Sequence, residues 1–140
     1  MINKEEKLQL LNKISSDTLM EHLGIIYTEV GEDYLVAEMP VTSMHYQPMR
    51  ILHGGATLAL AESVGSALSV INVDLDQYDV KGMEINANHI RSIKKGTLKA
   101  KAKFIHKGRT SHIVEINILN EKDKLISTCR LTNVVLKKQV

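Results

Sequence analysis

Between Thr97 and Phe104 the chain alternates strictly. Leu98, Ala100, Ala102 and Phe104 fall on one side of an extended backbone, and Thr97, Lys99, Lys101 and Lys103 on the other, which is the pattern of a strand with one buried face. Val114, Ile116 and Ile118, interleaved with Glu115 and Asn117, repeat it. Upstream, the β-prone runs Ile25 to Val30 and Tyr34 to Met39 flank Gly31-Glu32-Asp33 and predict a hairpin whose second strand ends at Pro40. Downstream, four strands are expected over about 78–93, 97–105, 111–119 and 125–136. Lys94-Lys95-Gly96, Lys107-Gly108-Arg109 and Glu121-Lys122-Asp123 supply the hairpin connections of an antiparallel meander. Residues 4–23 have helical composition and predict one or two short helices, with Ser16 or Asp17 as a cap between them.

Between the hairpin and the meander lies a long apolar stretch, Ile51 to Val73, with Glu62 as its one formally charged side chain. Its length suits a bilayer span. Paired glycines, His53, Ser63, Ser66, Ser69 and Asn72 make it too polar for lipid, so a helix buried in protein is expected. The order hairpin, long helix, four-stranded meander predicts an α+β fold, an antiparallel sheet wrapped around one central helix. No repeat or Pro/Gly/Ser-rich linker interrupts residues 1–140, which are read as one domain.

At about 100° per residue, Gly55, Glu62, Ser66 and Ser69 share one narrow helix face, and Leu60, Val64, Ala67 and Ile71 lie opposite. The aliphatic side fits the concavity of a sheet, and the small polar stripe then borders a cavity or interface where water is limited. Alone, that pattern suits a structural Glu62 as well as a functional one. Gly54-Gly55 open the helix, where backbone can approach a ligand and first-turn N–H groups lack partners. A tight turn alone also explains two glycines. The combination is more telling: Gln47 and His53 as donors before the helix, Gly55 at its start, and a carboxylate two turns on supply the carbonyl polarisation and the base or nucleophile that acyl transfer needs.

The remaining composition narrows the partners. A charge of +2, from 18 basic and 16 acidic residues, brings no bulk attraction to nucleic acid, and the lysine stripe on 97–103 reads as a solvated sheet face. The single cysteine, Cys129, precludes an internal disulfide and suits a reducing compartment. The first residues lack the apolar run of a secretory signal, so a cytoplasmic protein is expected. Six histidines include no HxxxH or HExxH pair, and neither a metal nor another cofactor is expected. His22, His45 and His112 are read as ordinary surface residues, and Cys129 as a core or interface residue rather than a nucleophile.

Gln47-Pro48, Leu52-His53-Gly54-Gly55-Ala56, Leu60-Ala61-Glu62-Ser63, Gly65-Ser66, Glu84-Ile85-Asn86-Ala87-Asn88-His89, Arg91-Ser92 and Arg130-Leu131-Thr132 stand in the order and spacing of one branch of the hotdog-fold thioesterases. The chain resembles the branch with 4-hydroxybenzoyl-, phenylacetyl- and 1,4-dihydroxy-2-naphthoyl-CoA thioesterases. It looks closest to the 1,4-dihydroxy-2-naphthoyl-CoA hydrolases of menaquinone synthesis and their paralogues that clear misacylated carrier proteins. It departs from them in Gln47-Pro48-Met49-Arg50-Ile51, where their usual glycine between Pro48 and Leu52 is absent.

The resemblance implies an acyl-CoA thioesterase that releases a free acid and CoA from an aromatic or other small acyl thioester. It implies Glu62 as general base or nucleophile, Gly55 N–H with Gln47 and His53 polarising the carbonyl, and Ser66 positioning water. CoA contacts are implied at Ser63, His89, Arg91 and Ser92 and on the turn holding His106, Gly108 and Arg109. It further implies a homodimer, commonly paired into a homotetramer, with each site shared between subunits. Two other readings stay open, a hotdog-fold enoyl-CoA hydratase or dehydratase and a non-catalytic acyl-CoA-binding protein.

Overall fold

The computed structural model describes residues 2–139. Its elements are α1 (Lys4–Ile14), α2 (Leu19–Leu23), β1 (Ile26–Val30), β2 (Tyr34–Val41), a 3-10 turn (Ser43–His45), α3 (Gly54–Val70), β3 (Tyr78–His89), β4 (Gly96–Lys107), β5 (Ser111–Leu119) and β6 (Leu125–Lys137). Six strands form one antiparallel sheet in the order β1-β2-β4-β5-β6-β3, and α3 lies against one face.

The alternation on β4 holds: Leu98, Ala100 and Ala102 are fully buried beneath α3, while Lys99 and Lys103 are exposed. Leu60, Ala61, Val64 and Leu68 of α3 fill the space above them. Gly65 makes the close approach possible, because a Cβ there would come within 2.7 Å of Leu131 Cδ2. No helix among the described residues is long and apolar enough to cross a membrane.

Three expectations about the elements need correction. The four-stranded meander is really three strands, β4 to β6, because β3 pairs with β6 at the far edge instead of with β4. Lys94-Lys95-Gly96 is accordingly no hairpin turn. Residues 90–95 cross the end of the sheet, tied by Ile90 N–H to Ile126 O at 2.7 Å and by Leu52 N–H to Ile93 O at 2.8 Å. Pro40 does not end β2, which continues to Val41. β1 pairs β2 only as far as Glu38, so the N–H that Pro40 lacks has no strand to bond on that side. The cap of α2 is Thr18, whose Oγ1 accepts from Met20 N–H, while Asp17 takes a left-handed conformation (φ 58°).

His45 and His112 are not surface residues, being 3% and 2% exposed. His45 accepts at Nδ1 from Thr42 N–H (3.1 Å), which leaves Nε2–H to donate to Leu23 O (2.8 Å), and its own carbonyl accepts from His53 N–H. One buried histidine thus ties the end of α2, through its ring, to the start of α3, through its carbonyl. His45→Ala should cost roughly 2–4 kcal/mol, from a cavity and two orphaned backbone groups, read as a lower denaturant midpoint at unchanged slope.

Candidate active site

The crossing segment 90–95 and the N-terminus of α3 enclose a cavity of about 270 Å³ lined by Gln47, Gly54, Thr57, His89, Arg91 and Ser92, among others. Four residues named from the sequence, Gln47, His89, Arg91 and Ser92, therefore meet there. The Gln47 amide oxygen accepts from Met49 N–H, which turns Nε2 outward as a donor. His89 binds Ser127 Oγ through Nδ1 at 2.8 Å and brings Nε2 close to Gly54. The Arg91 guanidinium donates to Leu125 O (2.8 Å) rather than forming an ion pair.

The helix start differs in detail from expectation. His53 caps α3 by accepting Gly55 N–H at Nδ1 (2.7 Å), so this ring nitrogen is an acceptor and that N–H is engaged. Gly54, expected at the helix start but not assigned to the site, is the glycine that lines the cavity. The signal was present, since the first N–H of a helix has no carbonyl four residues back within the helix. In the preceding loop Arg50 adopts φ 63° and stacks on the Tyr46 ring at 5.2 Å. A side chain in this left-handed conformation is strained.

Glu62 was expected where water is limited, but on the single chain it is exposed. It leans over β3, where a Cβ on Gly82 would come within 2.5 Å of its Oε1. From Gly54 it stands about 12 Å along the helix axis. Ser66 is half-buried one turn further on; Ser69, expected on the open stripe, is fully buried and accepts from Asn133 Nδ2 at 2.8 Å. The Ser63 hydroxyl donates back to Ala59 O (2.6 Å), and its carbonyl accepts from Tyr27 O–H (3.1 Å). Burial pushes the Tyr27 phenol up to about 12, keeping it a donor.

Gly108 and Arg109 line a second cavity of about 400 Å³, with Asn72, Tyr78, Lys107 and His112, at the opposite end of β3 from the first. His106 does not line it, although its ring approaches Gly108. Among the described residues no group of three metal-binding side chains occurs.

A family profile described as the thioesterase superfamily matches residues 49–127. The chain belongs to the thioesterase superfamily. A Vibrio cholerae protein named "Putative esterase VC_A0580" is 42% identical over 137 residues, 98% of this chain and 91% of that one. The crystal structure of a mutant of thioesterase PA1618 from Pseudomonas aeruginosa superposes with a TM-score of 0.92 at 39% identity, covering 94% of both chains. Two structures of Staphylococcus aureus SAV0944, one mutant at a glutamate and one at a glutamine, superpose with TM-scores of 0.83 and 0.81 at 37% identity. They cover 86% and 84% of this chain, and 99% and 97% of those.

In this thioesterase-superfamily member the sheet and α3 form the hotdog fold, and the reaction class is thioester hydrolysis. Cys129 is not equipped to be a nucleophile: it is 4% exposed, and burial raises its thiol to about 11. Cys129→Ala should retain thioester hydrolysis, and the native thiol should resist alkylation until the protein unfolds, as mass spectrometry would show.

Burial, and secondarily the Lys107 charge, lowers the His112 pKa below its ordinary 6.5. The folded state then binds fewer protons than the unfolded chain as pH falls through 6.5, so this group costs stability on the acid side. Denaturant midpoints of His112→Phe, measured on either side of that pH, should fall less on acidification than those of the parent.

Proposed function

We propose that the chain is an acyl-CoA thioesterase acting as a homodimer, in which Glu62 of one subunit serves a thioester carbonyl held by Gln47 and the α3 N-terminus of the other. The observation that carries this reading is the placement of Glu62, exposed over β3 and about two helical turns from the donor end of its own chain.

β3 is an edge strand of twelve residues, mostly exposed, with Met83 69% exposed at its middle. Such an edge invites pairing. Antiparallel pairing of β3 with its two-fold mate sets the His89 end of one copy beside the Tyr78 end of the other. That brings the Gln47-His89-Arg91-Ser92 cavity toward the partner cavity lined by Lys107, Gly108 and Arg109, and Glu62 falls between them. A cavity of about 270 Å³ in one chain is small for a CoA ester, and the paired cavities are not. The altered glutamine and glutamate in the S. aureus mutants lie 15 positions apart, the separation of Gln47 and Glu62 here.

In this scheme Gln47 Nε2 and the Gly54 and Gly55 N–H groups polarise the carbonyl, Gly55 once its bond to His53 yields. Glu62 then either activates water held near Ser66 or attacks the carbonyl itself, and water takes the acyl group to the acid with release of CoA thiol. Ser63, His89, Arg91, Ser92, His106, Gly108 and Arg109 are the proposed surroundings of the CoA. The acyl group is aromatic or otherwise small, with 1,4-dihydroxy-2-naphthoyl as the first candidate and menaquinone synthesis as the corresponding setting. The proposed location is the cytoplasm. Pairing of two such dimers into a homotetramer is compatible with the free outer face of the sheet.

Thiol release from benzoyl-, hydroxynaphthoyl- and aliphatic CoA esters tests the reading, with enoyl hydration followed alongside to expose a hydratase. Glu62→Gln should lower kcat at least a hundredfold, and Gln47→Ala about as much. Refolded together in equal amounts, the two inactive variants should recover roughly a quarter of parental activity, because half the dimers then contain one intact composite site of two. Absence of any recovery would place both residues in one chain's site.

A further inference from the structure

Apart from Ser127, which His89 binds at the first cavity, the sheet face under α3 carries buried polar side chains along one transverse row. Lys107 on β4 stands opposite His112 on β5, His112 opposite Asn133 on β6, and Asn133 opposite Gly82 on β3. Glu62 lies over Gly82 at the end of the row. His112 and Asn133 are 2% and 0% exposed, and Val114, Leu131 and Val135 around them are buried hydrocarbon. Two polar side chains in such a place carry a cost unless their atoms are satisfied.

They are only half satisfied. Asn133 Nδ2 donates to Ser69 Oγ (2.8 Å) and Gly65 O (3.3 Å); a carbonyl can only accept, so the amide orientation is fixed and Oδ1 faces away from α3's backbone. His112 presents its Nδ1 into the same interior. Asn133 Oδ1 and His112 Nδ1 both lack a hydrogen-bond partner among the described residues. The Glu62 carboxylate, an acceptor like Asn133 Oδ1, closes the row. A Cβ on Gly82 would lie 2.5 Å from Glu62 Oε1 and 3.8 Å from Asn133 Oδ1, so the missing side chain leaves a notch between two oxygens, roughly the span of one bridging water. Two neighbouring acceptors cannot satisfy one another. Water, with two hydrogens to donate, can.

We propose that this row holds a file of buried water running from the cavity beside His112 to Glu62, and that Asn133 and His112 are positioning residues that orient the carboxylate through it. The inference rests on Glu62 being the catalytic carboxylate. It also answers a need of the reaction, which consumes one water per thioester cleaved while the substrate covers Glu62 from outside. The cavity, of about 400 Å³ and lined by His112, Asn72, Tyr78 and Lys107, is the reservoir at the other end.

The test joins diffraction to kinetics. A high-resolution crystal structure of the full chain should show water within hydrogen-bond distance of both Asn133 Oδ1 and Glu62, and Asn133→Leu should remove it. With the thioester that the parent hydrolyses fastest, Asn133→Leu should lower kcat at least tenfold and leave KM within about twofold, as loss of transition-state positioning does. Asn133→Ser, which keeps an acceptor and leaves room for water, should restore most of the rate. If Asn133→Leu fails to fold, His112→Phe breaks the file at its other end and should lower kcat in the same way. A dry gap between the two oxygens overturns the proposal, as does a variant that loses the water or melting temperature but keeps the parental kcat. The diffraction result does not depend on turnover, so a protein inert toward every thioester would overturn the functional reading while the water file stood or fell on its density.

Discussion

The seating of α3 in the concave face of the sheet is the constraint on which the other features depend. Leu60, Ala61, Val64 and Leu68 are fully buried against Leu98, Ala100, Ala102, Ile116 and Leu131. Gly65 lets the helix come close, with Leu131 Cδ2 where its own side chain would be. Close packing of this kind fixes the rotation of a helix as well as its position. Once the aliphatic side is committed to the sheet, Glu62 must emerge toward β3, and the helix start must project past the sheet end beside Gln47 and His89.

Polar groups inside this apolar frame have specific work. His45 links α2, the loop after β2 and the residue that caps α3 through its two ring nitrogens and its carbonyl. Asn133 clamps α3 at Gly65 and Ser69 from the sheet side. Tyr27 reaches from β1 to the Ser63 carbonyl, next to Glu62. Hydrogen bonds in a low-dielectric interior are directional where hydrophobic contact is not, and these three set the helix in register with the strands that carry the candidate site.

Much of the fold was legible from periodicity. The alternation in β4 and β5, the Gly-Glu-Asp turn and the apolar stretch containing Glu62 placed the elements within a few residues of where they lie. Which strand neighbours which was not legible. Lys94-Lys95-Gly96 has hairpin composition, yet Gly96 opens β4 next to β2, and the residues before it cross the sheet end. Strand order is decided by which apolar faces α3 can cover together, a property of the whole chain. The candidate site was legible in part: Gln47, His89, Arg91 and Ser92 share a cavity, whereas Gly54 entered and the Gly55 N–H proved engaged by His53.

The sequence by itself determined the element types, the helix start at His53-Gly54-Gly55 and the isolation of one carboxylate on an otherwise uncharged helix, because these follow from local spacing and residue chemistry. Only the tertiary structure decided that β3 lies at an edge, that Glu62 is exposed above Gly82, and that His45, His112 and Asn133 are interior. Burial of a polar residue and the freedom of a strand edge depend on residues far along the chain, and no local pattern encodes them.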